Sequence, residues 1–348
     1  MTKYYQYLLV LAIFCIIFIF FINCSKEQKA EKPSKKKAVT VEVEPIKVGS
    51  TGEVKIGVIQ LSETDDFESA LKQNIVKESA KYGSEVSFCF NGSDPEKNIE
   101  CVKTLIIEEG AHVLIADSPT IESFNEMMEI AKTKGTYVIN TGTQKTIQRQ
   151  PLVVQFIGKD NTEGGYKIGS STGRIISDEL DGKGNVIIID MPEEKLKYKD
   201  RASSFRHGLN QYAFDAKVLT TAQGSESVEE SQRIIKNLLN QYPEANVIFS
   251  VCKESTLGAL KECEEAGKNP SNFIITGYDS TKDIFESIKT GGFIRAVVVD
   301  QPTEIARVMI LAATDLATGK RDLKEYQLQS NWILTVLVTK DNIDQWIE

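Results

Sequence analysis

Residues 56–83 read IGVIQLSETDDFESALKQNIVKESAKYG. An apolar run rich in Ile and Val comes first, then a polar turn carrying Phe67, then a longer amphipathic stretch that stops at Gly83, so strand, turn and helix follow one another. The unit repeats along the chain. Further strand candidates are 86–90 (VSFCF), 112–116 (HVLIA), 136–140 (TYVIN), 153–158 (VVQFIG), 185–190 (NVIIID), 216–221 (AKVLTT), 246–251 (NVIFSV), 273–279 (FIITGYD) and 294–300 (IRAVVVD). Between them lie helix starts such as Asp94-Pro95, a capping carboxylate before a first-turn proline, and Asp160-Asn161-Thr162-Glu163, an acidic capping box. Continuous apolar strands separated by helices are buried on both faces, which means parallel sheets in an α/β architecture. About ten strands exceed one comfortable open sheet, so two lobes are expected.

Composition agrees with a globular chain: 348 residues, 41% hydrophobic, 26% charged, with 49 acidic against 41 basic side chains. A net charge of -8 lacks the basic footprint that a phosphate backbone requires, so no nucleic-acid partner is expected. His112 and His207 stand far apart and without a cysteine cluster, and no metal or other cofactor is expected.

The amino terminus differs from the rest. Leu8 to Ile22 is an unbroken run of fifteen apolar residues, LLVLAIFCIIFIFFI, followed by Asn23 and Cys24. That is shorter than the roughly 20 residues of a membrane span and suits the core of an export signal. The segment resembles a bacterial lipoprotein signal, residues 1–23, which implies that Cys24 becomes the lipidated first residue, although Phe21-Ile22-Asn23 lacks the usual small residue before the cysteine. An uncleaved anchor helix is the alternative; both export the protein and tether it to a membrane. Residues 25–37, SKEQKAEKPSKKK, with six lysines and two glutamates, cannot bury enough surface to order themselves, and 24–52 reads as a flexible tether.

Five strand runs end on an acid or amide: Asp117, Asn140, Asp190, Asp279 and Asp300. Each alone reads as the N-cap of the next helix. Gathered at the carboxyl ends of parallel strands, they describe a cleft that offers acceptors to hydroxyl or amine donors.

At these residues the chain resembles the type I periplasmic binding proteins, in particular the ribose and galactose class of substrate-binding proteins serving ABC transporters. The likeness runs through FIGKDNTEGGYKIGSSTGRII (156–176), RASSF (201–205), TLGAL (256–260), ITGYDSTKD (275–283), VVDQPTEIA (298–306) and LVTKDNID (337–344). It implies two Rossmann-like lobes joined by a three-crossover hinge, with 53–157 plus 302–330 in the first and 158–301 plus 331–348 in the second. It also implies a ligand enclosed by hinge closure. By resemblance Arg201 donates to ligand hydroxyls, Asp279 accepts from them, Asp65 and Phe67 give a polar and a stacking contact, and Asp300 occupies the hinge. Asp117, Asn140 and Cys252 complete the expected ligand-binding set. Pairing with Asp200 is the structural alternative for Arg201. The chain departs from the family at Cys252-Lys253, where an Asn-Asp pair is usual, and at TGTQ (141–144). A second-lobe aromatic is not evident, though Tyr198 could supply one.

Past the signal, Cys89, Cys101, Cys252 and Cys263 remain. An even number in an exported protein suggests disulfides; a strand position set against one well down the next helix argues instead for buried free thiols, the preferred reading. Gly169-Ser170-Ser171-Thr172-Gly173 matches a nucleophile motif, yet its flanking apolar period places it inside a helix. No catalytic residue is expected. The expected function is an exported, lipid-anchored monomer that captures a small polar solute, a sugar or polyol, and delivers it to an ABC permease. A sensory receptor of the same fold is the alternative. A hydrolase lacks an acid and base pair, and a DNA-binding regulator lacks a helix-turn-helix.

Overall fold

The computed structural model describes residues 48, 53–63, 65–141, 153–193, 195, 198–321 and 331–347. The expected signal, Cys24, the tether apart from Val48, and residues 142–144 lie outside them. In chain order the first part comprises β1 (Lys55–Gln60), α1 (Asp66–Tyr82), β2 (Glu85–Phe90), α2 (Pro95–Lys103), β3 (Val113–Ala116), α3 (Ile121–Lys134), β4 (Tyr137–Asn140) and β5 (Val153–Lys159). There follow α4 (Asn161–Glu179), β6 (Asn185–Asp190), α5 (Arg201–Tyr212), β7 (Lys217–Gln223), α6 (Val228–Gln241), β8 (Val247–Ser250), α7 (Lys253–Glu265), β9 (Ile274–Tyr278), α8 (Lys282–Thr290) and β10 (Ile294–Val299). Last come α9 (Pro302–Ala317), β11 (Asn331–Ile333) and β12 (Val336–Thr339). Each of the ten expected strands is present.

Two six-stranded sheets result, ordered β11-β5-β4-β3-β1-β2 and β12-β10-β9-β8-β6-β7, both within one compact unit, Val43–Glu348. Described pairings are parallel, as in Ile56↔Val113 and Val186↔Val247, except that β12 runs antiparallel to β10. Chain direction across each sheet reverses between β1 and β3, and again between β6 and β8. These are the places where a doubly wound sheet leaves a crevice beyond its strand ends.

Alternate side chains of each strand meet helices on opposite faces, hence the continuous apolar runs. Ile56, Val58, Ile115, Ile139 and Ile157 pack on Leu71 and Ile75 of α1 and on Ile305, Met309 and Ile310 of α9. Ile59, Leu114 and Val138 face Leu105, Met127 and Met128. In the second sheet Ile187, Ile248 and Ile275 pack with Ile235 and Ile288, while Ile188, Phe249 and Val298 pack with Ile168, Phe205 and Leu209. Each such fully buried side chain contributes about 1.5–3 kcal/mol.

The chain passes between the sheets after β5, after β10, and between Ile333 and Val336. The last passage differs from the expected boundary before residue 331, because β11 pairs with β5 (Asn331↔Ile157) before β12 joins β10. The crossings are bonded to one another. Gln301 Nε2 donates to Leu334 O at 2.6 Å, and Thr335 donates through N and Oγ1 to Glu163 Oε2 at 3.2 and 2.7 Å. Asp160 caps α4 as expected, accepting from Thr162 N and Glu163 N, but the Glu163 carboxylate goes to Thr335 and Lys167 rather than back to the cap.

The motif 169–173 is a packing device. A Cβ on Gly165 would lie 2.4 Å from Arg201 O and one on Gly169 2.1 Å from Phe205 O. Glycines four apart on α4 therefore let the backbone of α5 approach, and Ser171 sits inside the helix. The preference for free thiols is corrected for one pair: Cys89 and Cys101 form a disulfide, Cα to Cα 5.6 Å. Distance along the chain misled, because α2 folds back over β2 and turns Cys101 inward onto the sheet, within disulfide reach of Cys89. Cys252 and Cys263 are free and buried, as expected.

Candidate ligand-binding site

A cavity of about 930 Å³ lies between the lobes. The first lobe lines it with Gln60, Asp65, Asp66, Phe67 and Asp117, and the second with Tyr198, Glu226, Lys253, Asp279 and Asp300; Lys159 stands at the first crossing and Arg201 at the start of α5. Six of the eight expected binding residues thus converge. Asn140 (3% exposed) and Cys252 (0%) do not line the cavity. Asn140 is enclosed within the first lobe. Cys252 is the N-cap residue of α7, with Sγ donating to Ser255 Oγ at 3.4 Å and its thiol pushed up to about 11 by burial. Asp190 accepts from Met191 N at 2.8 Å and also lies outside the lining.

Arg201 is the hub. Its side chain is 1% exposed, and the guanidinium lies 4.0 Å from the Tyr278 ring centroid. Nε donates to Asn161 Oδ1 at 2.9 Å and Nη1 to Val251 O at 2.8 Å. Nη1 and Nη2 stand 3.9 Å from Asp279 Oδ2 and Asp300 Oδ2. Asp200 precedes Arg201 as the N-cap residue of α5, at φ 70° and without a side-chain cap bond. The resemblance implies donation to ligand hydroxyls; in this structure Nε and Nη1 donate to the protein, and the arginine stands between two carboxylates. Burial opposes its charge, but Asp279 and then Asp300 keep its pKa raised.

Asp279 follows β9 at φ 64°, a left-handed conformation that aspartate tolerates better than most side chains. Burial raises its pKa against the pull of Arg201. Burial acts likewise on Asp300, yet Lys159 and Arg201 hold that carboxyl below its usual value. Lys159 Nζ donates to Asp300 Oδ2 at 2.8 Å and lies 4.3 Å from the Phe67 ring centroid, so an ammonium already covers the ring expected to stack. Asp65 caps α1, Oδ1 accepting from Phe67 N and Glu68 N at 3.0 and 3.1 Å. Asp117 Oδ1 accepts from Ser118 N at 2.7 Å, and burial lifts its pKa to about 6. Tyr198, the possible second-lobe aromatic, lines the cavity and donates to Glu226 Oε1 at 2.9 Å.

Sequence reasoning missed Gln60, Lys159, Glu226 and Lys253 as lining residues. Lys253 could have been found, since it stands where the chain departs from the family. Lys159 directly precedes the Asp160 cap at a crossover, which is a weaker signal.

A profile of the periplasmic binding protein domain matches residues 56–321. The chain belongs to the periplasmic binding protein family. Within the family it is of the type I, ribose class. It is 26% identical over 280 residues to a ribose import binding protein of Bacillus subtilis, covering 80% of this chain and 86% of that one. The fold also matches the arabinose ABC transporter binding protein of Shewanella sp. ANA-3, solved with L-arabinofuranose (TM-score 0.70, 19% identity, 84% and 94% coverage). A solute binding protein of Bacillus halodurans with bound myo-inositol matches equally (TM-score 0.70, 19% identity, 86% and 99% coverage). Type I lobes and parallel sheets are therefore common to this binding protein and its relatives.

Proposed function

We propose that this chain captures a small polyhydroxylated solute, a sugar or related polyol, outside the cytoplasm and delivers it to an ABC importer. The observation that carries the reading is the state of the cavity oxygens. Among the described residues Gln60 Oε1 and Asp300 Oδ1 are buried without a hydrogen-bond partner, and both residues line the cavity. Unsatisfied buried acceptors cost about 1–3 kcal/mol each, a cost that a donor-rich ligand removes. The volume suits a small solute. Ribose, arabinose and inositol, named for the relatives above, are the first candidates.

Hinge closure supplies the mechanism in this reading. Asp65, Phe67 and Asp117 receive the solute on one lobe; Asp279 and Asp300, set by Arg201, meet it from the other. Lipidation at Cys24 would keep the loaded protein near its permease. Thermal-shift screening of the full chain against pentoses, hexoses and inositols tests the proposal: about 2.7 kcal/mol of stabilisation is expected at a hundredfold excess over Kd. A panel without any shift would overturn it, and chemical turnover of a bound compound would make the protein an enzyme.

A further inference from the structure

The cavity carboxylates are not equivalent. Asp279 and Asp300 share Arg201, and Asp300 also holds Lys159. Asp66 and Glu254 face Lys253, Glu226 holds Lys195, and Asp65 is engaged in the α1 cap. Asp117 stands apart. One oxygen accepts from Ser118 N, and among the described residues no cation reaches the carboxylate or acts on it electrostatically. It closes β3 at the reversal point of the first sheet and lines the cavity. Among the described residues the cavity lysines are already engaged: Lys159 by Asp300, Lys253 by Asp66, Lys195 by Glu226.

A neutral hydroxyl would give Asp117 a hydrogen bond and leave its charge uncompensated in a poorly solvated place, whereas an ammonium supplies both. Resting on the polyol reading above, we infer that the preferred ligand is a polyol bearing a primary amine, with Asp117 as the residue that selects the amine and Gln60 Oε1 and Asp300 Oδ1 accepting from its hydroxyls. The burial that lifts the Asp117 pKa to about 6 has the sign such a site needs, since it is relieved when a cation arrives.

Isothermal titration calorimetry on the full chain tests this with matched pairs: D-glucosamine against D-glucose, D-galactosamine against D-galactose, and an amino-deoxy-inositol against myo-inositol. In at least one pair the amine is expected to bind about tenfold tighter, the usual gain of a charge-assisted over a neutral hydrogen bond. N-acetylation of that amine should erase the gain, and so should Asp117→Asn. A second measurement needs no variant: in the wild-type protein the preference should fall as pH drops through about 6, where Asp117 takes up its proton. Neutral members binding as well as their amines would overturn the inference and leave the polyol reading standing, as would a preference kept in Asp117→Asn or at low pH. No binding by either member of any pair would overturn the inference, and the polyol reading would fall with it only if the pentoses of the thermal-shift panel also fail to bind.

Discussion

Lys253 Nζ donates to Asp66 Oδ2 at 2.6 Å, joining the first turn of α7 in one lobe to the first residue of α1 in the other. Lys253 is 23% and Asp66 82% exposed, so the pair sits at the mouth of the cleft with its acid in water. Burial lowers the Lys253 pKa, but the bond to Asp66 outweighs this and leaves it raised. An ion pair across the opening favours the arrangement in which the lobes face each other.

Lys253→Met and Asp66→Asn are therefore each expected to weaken ligand binding about two- to fivefold, the range of an exposed pair. The double variant should lose little more than either single one. Calorimetry at low and high salt checks this: wild-type affinity should fall with salt, and that of the variants should not.

Arg201→Ala leaves Asp279 and Asp300 facing each other without their shared cation. Asp300 keeps Lys159 and Asp279 is 31% exposed, so the main cost is the lost donors to Asn161 Oδ1 and Val251 O, about 1–3 kcal/mol for each group left unsatisfied; urea unfolding should show a loss of at least that size together with lost binding. Asp279→Asn is milder, because Asn also tolerates the left-handed φ of 64°; it should fold and lose binding. Near-native stability of Arg201→Ala would contradict the hub role.

Asp117 has a folded pKa of about 6, above the unfolded value near 4. Below about 4 both states are protonated and the group has no effect. As pH rises from there the unfolded chain ionises first, the folded state loses stability, and above about 6 the penalty is complete. Asp117→Asn should thus stabilise the ligand-free protein by about 1–3 kcal/mol at pH 8 and leave it unchanged at pH 4. A pH-independent difference between the two proteins would refute this account.

The Cys89–Cys101 disulfide closes a sequence separation of 12. Replacing both cysteines by serine should lower stability by about 2–3 kcal/mol, read by thermal or urea unfolding. Cys252 and Cys263, buried in the second lobe, should resist thiol reagents until the chain unfolds.

Much of the fold was legible because its strands are buried on both faces, and such strands leave apolar runs such as NVIIID (185–190) that no exposed element imitates. The caps at Asp94 and Asp160 were legible for a related reason, since a side-chain oxygen satisfying backbone N–H groups two and three residues on is a local event. Family likeness located Arg201, Asp279 and Asp300, which the structure brings around one cavity. The pairing of Cys89 with Cys101 was hidden, because it depends on how α2 lies over β2.

The sequence alone determined two α/β lobes, their strands, and a set of polar groups at strand ends. Only the tertiary structure decided what those groups do. It enclosed Asn140 and Cys252 away from the cavity, engaged Nε and Nη1 of Arg201 with the protein, set Lys253 against Asp66, and left Asp117 without a cation among the described residues. The reason is physical: whether a charge is compensated depends on groups within a few ångströms, and between residues 187 positions apart, as Lys253 and Asp66 are, that distance is set by packing alone.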